Sequence, residues 1–360
     1  MTAVRLRGGG VSAVRGVFVR STLARSLAWA VLAAVLLVVV SDLISAYNDL
    51  QLATGAYYFA ALAGLTVLAG QSGQISLGHG ALMAVGAYTV ALLIGDLGWA
   101  LLPAIVAAVA VSVIVGIPVG AAASRLRGPY LAGATLAFAV GLPALADKFP
   151  TLLGGENGLT INPPIPPSWL GADFPLERWE AWIAGAGAVV VLFVLYNVIA
   201  SGVGRSFRAV RDDEIAASLC GLSVGRTQTT AFIVSAGCAG LGGALLAVVL
   251  QLAQPGAFPL QLSLSLLTGV VLGGLGSLVG AVWGAALLTL LPNWTTDLAH
   301  SFSLSTKVSA NLPLAIYGIV LIAAMIVWPS GIQGGLRAIF GRLRSGRLRS
   351  GRLGAARGSG

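Results

Sequence analysis

Charge is the scarcest thing in this chain. Asp, Glu, Lys and Arg make up 9% of 360 residues, while 57% are hydrophobic. The mean hydropathy is +0.92. Soluble domains carry about 25% charged residues, so that class is excluded. Lysine is almost missing, with only Lys148 and Lys307 against 19 arginines, a balance that fits a high-GC bacterial gene. Cysteine is too rare for a disulfide framework. If one helix joins Cys220 and Cys238, about 27 Å separates them, beyond a disulfide's reach. No GxxxxGK[ST] phosphate loop is present, so the chain cannot itself supply an ATPase. The alternation of a transmembrane barrel is missing too. The net charge of +9 does not imply nucleic acid, because the basic residues gather at the ends of apolar runs.

Those runs are what the chain has in abundance. They cover about 27–44, 55–70, 81–98, 100–123, 129–146, 180–201, 228–250, 263–275, 277–291 and 311–328. The fold class follows: an all-α polytopic membrane protein of about ten transmembrane segments, some short or broken by Gly-rich turns. Residues 1–26 form a basic N-terminus with Arg5, Arg7, Arg15, Arg20 and Arg25 and no acid. Ser41-Asp42 is a poor cleavage site, so the first run reads as a retained span. Arg125, Arg127, the Arg205–Arg226 island and the tail from Arg337 to Arg357 alternate with Asp42, Asp49, Asp96, Asp147, Glu156, Asp173, Glu177, Glu180 and Asp297. The positive-inside rule then places both termini in the cytoplasm. The transmembrane body is 27–335. Its external loop, 147–179, is stiffened by prolines. The tail, 336–360, repeats Arg-Leu-Arg-Ser-Gly and reads as disordered and able to touch anionic lipid.

Polar residues break the apolar pattern in two places. The first is Gly70-Gln71-Ser72-Gly73-Gln74-Ile75-Ser76-Leu77-Gly78-His79-Gly80, and the second is Gly273-Gly274-Leu275-Gly276-Ser277-Leu278-Val279-Gly280. Polar groups at membrane depth persist only where they face protein or a water-filled path. Paired breaks in the two halves point to a solute path, with Gln71, Gln74, Ser76, His79, Tyr88, Gly273, Gly274 and Ser277 as its candidates. The same residues fit a plain cytoplasmic turn with a helix-end histidine, and the glycines fit helix packing. In the outer loop, Gly155, Glu156 and Asn157 offer either a group that orients an ammonium near the mouth or a tight turn.

The charged island lies between two apolar runs. Residues 205–226 hold Arg205, Arg208, Arg211 and Arg226, then Asp212, Asp213 and Glu214, then the small residues Ala216 and Ala217 before Gly221. A short amphipathic helix with small side chains fits a groove on another protein, and a glycine ends it. An ordinary basic cytoplasmic loop carries the same charges.

In order, Leu68–Ala81, Arg125–Ala132, Gly154–Gly158, Arg208–Ala217, Val271–Ser277 and Trp328–Ile332 resemble segments of the branched-chain amino-acid ABC importer permeases of the LivM type, over residues 27–335. The resemblance implies the ABC importer permease fold and ATP-driven uptake of branched-chain amino acids across the bacterial inner membrane. Related importers carry urea or short amides, which is the alternative cargo. It also implies a transport subunit rather than an enzyme, with no metal or cofactor of its own. A second homologous permease subunit, two ATP-binding subunits that hold ATP and Mg, and an extracytoplasmic solute-binding protein complete the machine. The island becomes the ATPase-coupling loop, with Arg208, Asp213, Glu214, Ala216, Ala217 and Gly221 as contacts. The family pattern E-A-A-x3-G falls on Ile215–Gly221, so Ile215 stands at the glutamate position and Glu214 comes one residue early.

Two other classes meet obstacles. Gly70-Gln71-Ser72-Gly73 matches the GxSG pattern of intramembrane serine proteases, which need a base within hydrogen-bond reach; the chain's two histidines, His79 and His300, are poorly placed for it. A proton- or sodium-driven transporter buries ionisable groups within its spans, and these runs are nearly free of them.

Overall fold

The computed structural model describes residues 10–126, 129–162, 164–171 and 174–301, isolated positions between 316 and 326, and 331–335. The expected last span, 311–328, lies largely outside the described residues, and the tail wholly outside.

The chain is all-α and polytopic. Its helices are α1 (Gly10–Leu43), α2 (Ala46–Leu65), α3 (His79–Gly95), α4 (Leu101–Ala123), α5 (Pro129–Lys148), the short α6 (Pro150–Leu153), α7 (Leu176–Ala200), α8 (Gly202–Asp212), α9 (Glu214–Leu219), α10 (Val224–Leu250), α11 (Leu260–Gly273) and α12 (Leu278–Ser301). Among the described residues, 7 helices are long and apolar enough to cross a membrane, and His79–Gly95 and Leu278–Trp294 are shorter apolar helices. Three boundaries differ from the hydropathy reading: α2 begins at Ala46, nine residues before the apolar run at 55, and α1 and α12 are longer than expected. Helix α1 begins at Gly10, inside the basic N-terminal stretch, because arginine is a good helix former and does not end a helix. Helix α12 runs through Pro292 to Ser301 instead of stopping near 291.

Helix α10 is the centre of the bundle, packed by α2, α3, α4 and α7. From Ala231 onward it is apolar and rich in small residues, as a buried helix is. Gly243 meets the backbone of Met83, and Gly86 meets that of Gly240, so closely that a Cβ on either glycine would overlap the opposing chain. Lipid gives helices no hydrophobic reason to associate, so close contact of small residues has to hold them together. By contrast α1 exposes Val31, Val35, Leu36 and Val39.

At one end of α1, α2 and α7 a polar staple joins the three. Asp49 is fully buried; its Oδ1 accepts from Ser41 Oγ at 2.8 Å, and Ser41 Oγ accepts from Trp182 Nε1 at 3.2 Å. Arg178 pairs with Asp49 at 3.5 Å and with Asp42 at 3.3 Å. In the 147–179 loop, β1 (Leu159–Thr160) pairs antiparallel with β2 (Leu252–Ala253), which follows α10.

Candidate functional site

Helix α2 does not end cleanly. Its last turns widen into a π-helix over Thr66–Gln71. The Ser72 amide reaches back to Val67 O, and the Gln74 amide to Leu68 O, each at 3.1 Å. Gly73 then takes φ +76°, open to glycine and strained for other residues. The second break turns at Gly274 and Gly276, with φ of +120° and +78°. Ser277 Oγ then accepts from Gly280 N at 3.4 Å, at the start of α12.

The two breaks touch. Gly70 and Gly276 meet backbone to backbone, with no space for a Cβ on Gly70. Gln71 Nε2 donates to Gly276 O at 2.6 Å. Gly331 closes against Gly274 from the other side.

Helix α8 completes the cluster. Phe207 and Val210 are buried and anchor it, leaving its arginines to reach sideways. Arg208 Nη1 donates to Gln71 Oε1 at 3.0 Å, and Arg211 Nη1 donates to Gly70 O at 2.7 Å. Gln74 Nε2 donates to Ser72 Oγ at 2.7 Å and to Gln228 O at 3.0 Å. Gln228 Nε2 in turn donates to Glu214 Oε1 at 2.9 Å. Neither arginine contact was read from the sequence; a basic residue beside a break is the only signal that hints at them.

The first break therefore faces protein. Gln71, Gln74, Ser76 and His79 are all buried. Ser76 Oγ accepts from Gly78 N at 3.3 Å, and His79 Nε2 pairs with Ala61 O at 2.9 Å. Tyr88 is buried farther along α3, its hydroxyl without a hydrogen-bond partner among the described residues. Ser72 accepts from Gln74 and His79 pairs with Ala61 O, and the two do not bond to each other. A cavity of about 450 Å³ lies elsewhere, between α1, α2, α7 and α12. Asn48, Gln51 and Thr289 are its polar side chains, and none of the expected path residues lines it.

Asp213 and Gly221 shape α9. Asp213 Oδ1 accepts from the amides of Ile215 and Ala216 at 2.9 and 3.0 Å, a helix N-cap. Gly221, at φ +83°, ends the helix. Ala217 faces inward at 5% exposure, whereas Ile215 and Leu219 stand out at 74% and 83%. Ala216 is also exposed. The large apolar side chains on the reachable face of α9 are Ile215 and Leu219, while Ala217 packs inward in the isolated chain. In the 147–179 loop, Gly155–Asn157 forms a single 3-10 turn with Glu156 and Asn157 exposed. No group of three or more His, Cys, Asp or Glu able to hold a metal occurs among the described residues.

A family model described as "Branched-chain amino acid transport system / permease component" matches residues 47–325. The LivM permease proteins of the high-affinity branched-chain amino acid transport systems of Salmonella typhimurium and Escherichia coli are both similar to this chain. Each is 32% identical, over 295 and 296 residues, covering 75% of this chain and 66% of the relative. The LivH permease protein of Escherichia coli is 25% identical over 295 residues, covering 78% of this chain and 92% of its own length. The chain thus spans just under two thirds of the LivM relatives' length. No solved structure matches. With a family match running from α2 through both breaks and the charged loop, the chain belongs to the family of branched-chain amino acid transport permease components.

Proposed function

We propose that this chain is a permease subunit of an ATP-driven ABC importer in the bacterial inner membrane. It passes branched-chain amino acids from an extracytoplasmic solute-binding protein into the cytoplasm. The observation that carries the reading is the α8–α9 pair. A capped, anchored helix holds two large apolar side chains, Ile215 and Leu219, in the open one turn apart. An i, i+4 apolar pair of this kind suits a groove on a partner protein. The sequence has no phosphate loop, so two partner subunits bind ATP and Mg and dock at α9 on the cytoplasmic side. Similarity to both LivM and LivH supports pairing with a second, homologous permease. Glu156 and Asn157, exposed on the outer turn, face the solute-binding protein. Family membership supports the cargo.

The test is co-expression with the genes of the partner subunits and reconstitution into vesicles. Ile215→Glu together with Leu219→Glu leaves the permease inserted but weakens retention of the ATP-binding subunits by about 30-fold or more, the scale of a lost hot spot. Leucine uptake on ATP addition then fails. Full retention of the ATP-binding subunits by this variant refutes the docking role, and uptake of urea in place of leucine by the unmodified complex refutes the cargo.

A further inference from the structure

One side chain, Gln71, bonds both to the charged loop and to the second helix break. We propose that Gln71 is a positioning residue that links α8 to the α11–α12 turn, so that a displacement of α8 by the docked ATPase moves both breaks together. The proposal rests on the docking reading above and specifies how docking is felt inside the membrane.

Gln71 uses both ends of its amide. Its oxygen accepts from Arg208 Nη1 at 3.0 Å, and its nitrogen donates to Gly276 O at 2.6 Å. A carboxylate lacks the donor and an aliphatic side chain lacks both, so the position calls for a primary amide. Gln71 is only 6% exposed, so water is poorly placed to replace either partner. Arg208 and Arg211 lie three residues apart on one face of α8. The second holds Gly70 O, and its stem lies over Gly73, where a Cβ would come within 2.9 Å of its Cγ. Gly70 in turn touches Gly276 directly. The chain Glu214–Gln228–Gln74 ties α9 and α10 to the same break. Short contacts without intervening space transmit displacement instead of absorbing it.

Leu275, 57% exposed beside the Gly276 acceptor, serves as reporter. In the assembled complex, with exposed Cys220 replaced by serine, Leu275→Cys is labelled with a water-soluble thiol reagent in nucleotide-free and vanadate-trapped states. The two rates are expected to differ by about fivefold or more. Gln71→Ala and Arg208→Met each bring the ratio close to unity, and the double variant does no more than either. Gln71→Glu keeps the Arg208 contact, loses the donor to Gly276, and is flat as well. A merely structural role would shift both rates together and leave their ratio intact. A ratio that survives Gln71→Glu and Arg208→Met overturns the proposal, as does the absence of any state dependence at Leu275→Cys in the otherwise unmodified complex. If Gln71→Ala does not assemble, the other two variants carry the same readout. Failure of the docking reading shows separately, as retention of the ATPase by the Ile215→Glu, Leu219→Glu chain.

Discussion

Replacing Gly70 by alanine should pry the two breaks apart. A Cβ there would overlap the Gly276 amide, lie 2.5 Å from Gly276 Cα and sit 3.1 Å from the Leu275 carbonyl carbon. Carbon atoms at rest keep about 3.5–4 Å, so the backbones must separate by about 1 Å. All three neighbours are backbone, and no flexible side chain can yield. The same displacement stretches the Gln71–Gly276 contact from 2.6 Å to about 3.6 Å, outside hydrogen-bond range. Overpacking of this kind costs about 1–3 kcal/mol, which lowers the melting temperature by about 1–4 °C for a chain of this size. Buried Cys238 is a built-in reporter once exposed Cys220 is serine, because a thiol-reactive dye reads its exposure on heating. Gly141 is the control: it lies in α5 with nothing within 4 Å of an added Cβ, and alanine there should add up to about 1 kcal/mol through helix propensity. A Gly70→Ala chain that melts at or above the parent, or shifts of the same sign at both glycines, would refute the close contact of the breaks.

Accessibility gives a second check: Ile75→Cys should react with a water-soluble reagent in the nucleotide-free protein, and Gln74→Cys and Ser76→Cys should stay inert, since Ile75 is 55% exposed and the other two 5% and 0%. Labelling of all three at one rate would show that the break is open to water. The polar staple gives a third: Asp49→Leu should cost about 3 kcal/mol by stripping a buried acceptor from Ser41 and Arg178. Asp42→Leu, whose side chain is 60% exposed, should cost under about 1 kcal/mol. Equal melting shifts for the two would contradict the burial of Asp49.

The long helices are legible in the sequence because lipid leaves the backbone no alternative. Helices α4, α7 and α10 begin and end within about four residues of the apolar runs. The contact between the breaks follows in outline from cost, since amides such as Gln71 have to find partners. Which partner is not legible: Gln71 and Gly276 O are 205 positions apart, and no periodicity joins them. Helix α9 shows a different limit. Six residues are too few for a face to show in the pattern, so Ala217 inward and Ile215 outward emerge only with the packing. Asp213 reads in the sequence only as a docking charge, and its role as the N-cap of α9, accepting two backbone amides, emerges with the fold. Asn48, Gln51 and Thr289 are single polar positions scattered over two apolar helices, and only the fold gathers them at one cavity.

The rungs Leu159↔Ala253 and Thr160↔Leu252 divide the 147–179 loop into unequal halves. Before them, Gly154–Gly158 is wedged, with Gly158 against the backbone of Ala253. A residue gained or lost there slides a ladder only two rungs long, and a one-residue slip turns every side chain over. Beyond Ile161 the chain spans two fixed points, the sheet and the start of α7. Spanning cost rises by only about 0.6 kcal/mol for each doubling of length. A change of length is therefore absorbed most cheaply in the Pro-rich stretch between Ile161 and Leu176, where it leaves Glu156 and Asn157 in the same place.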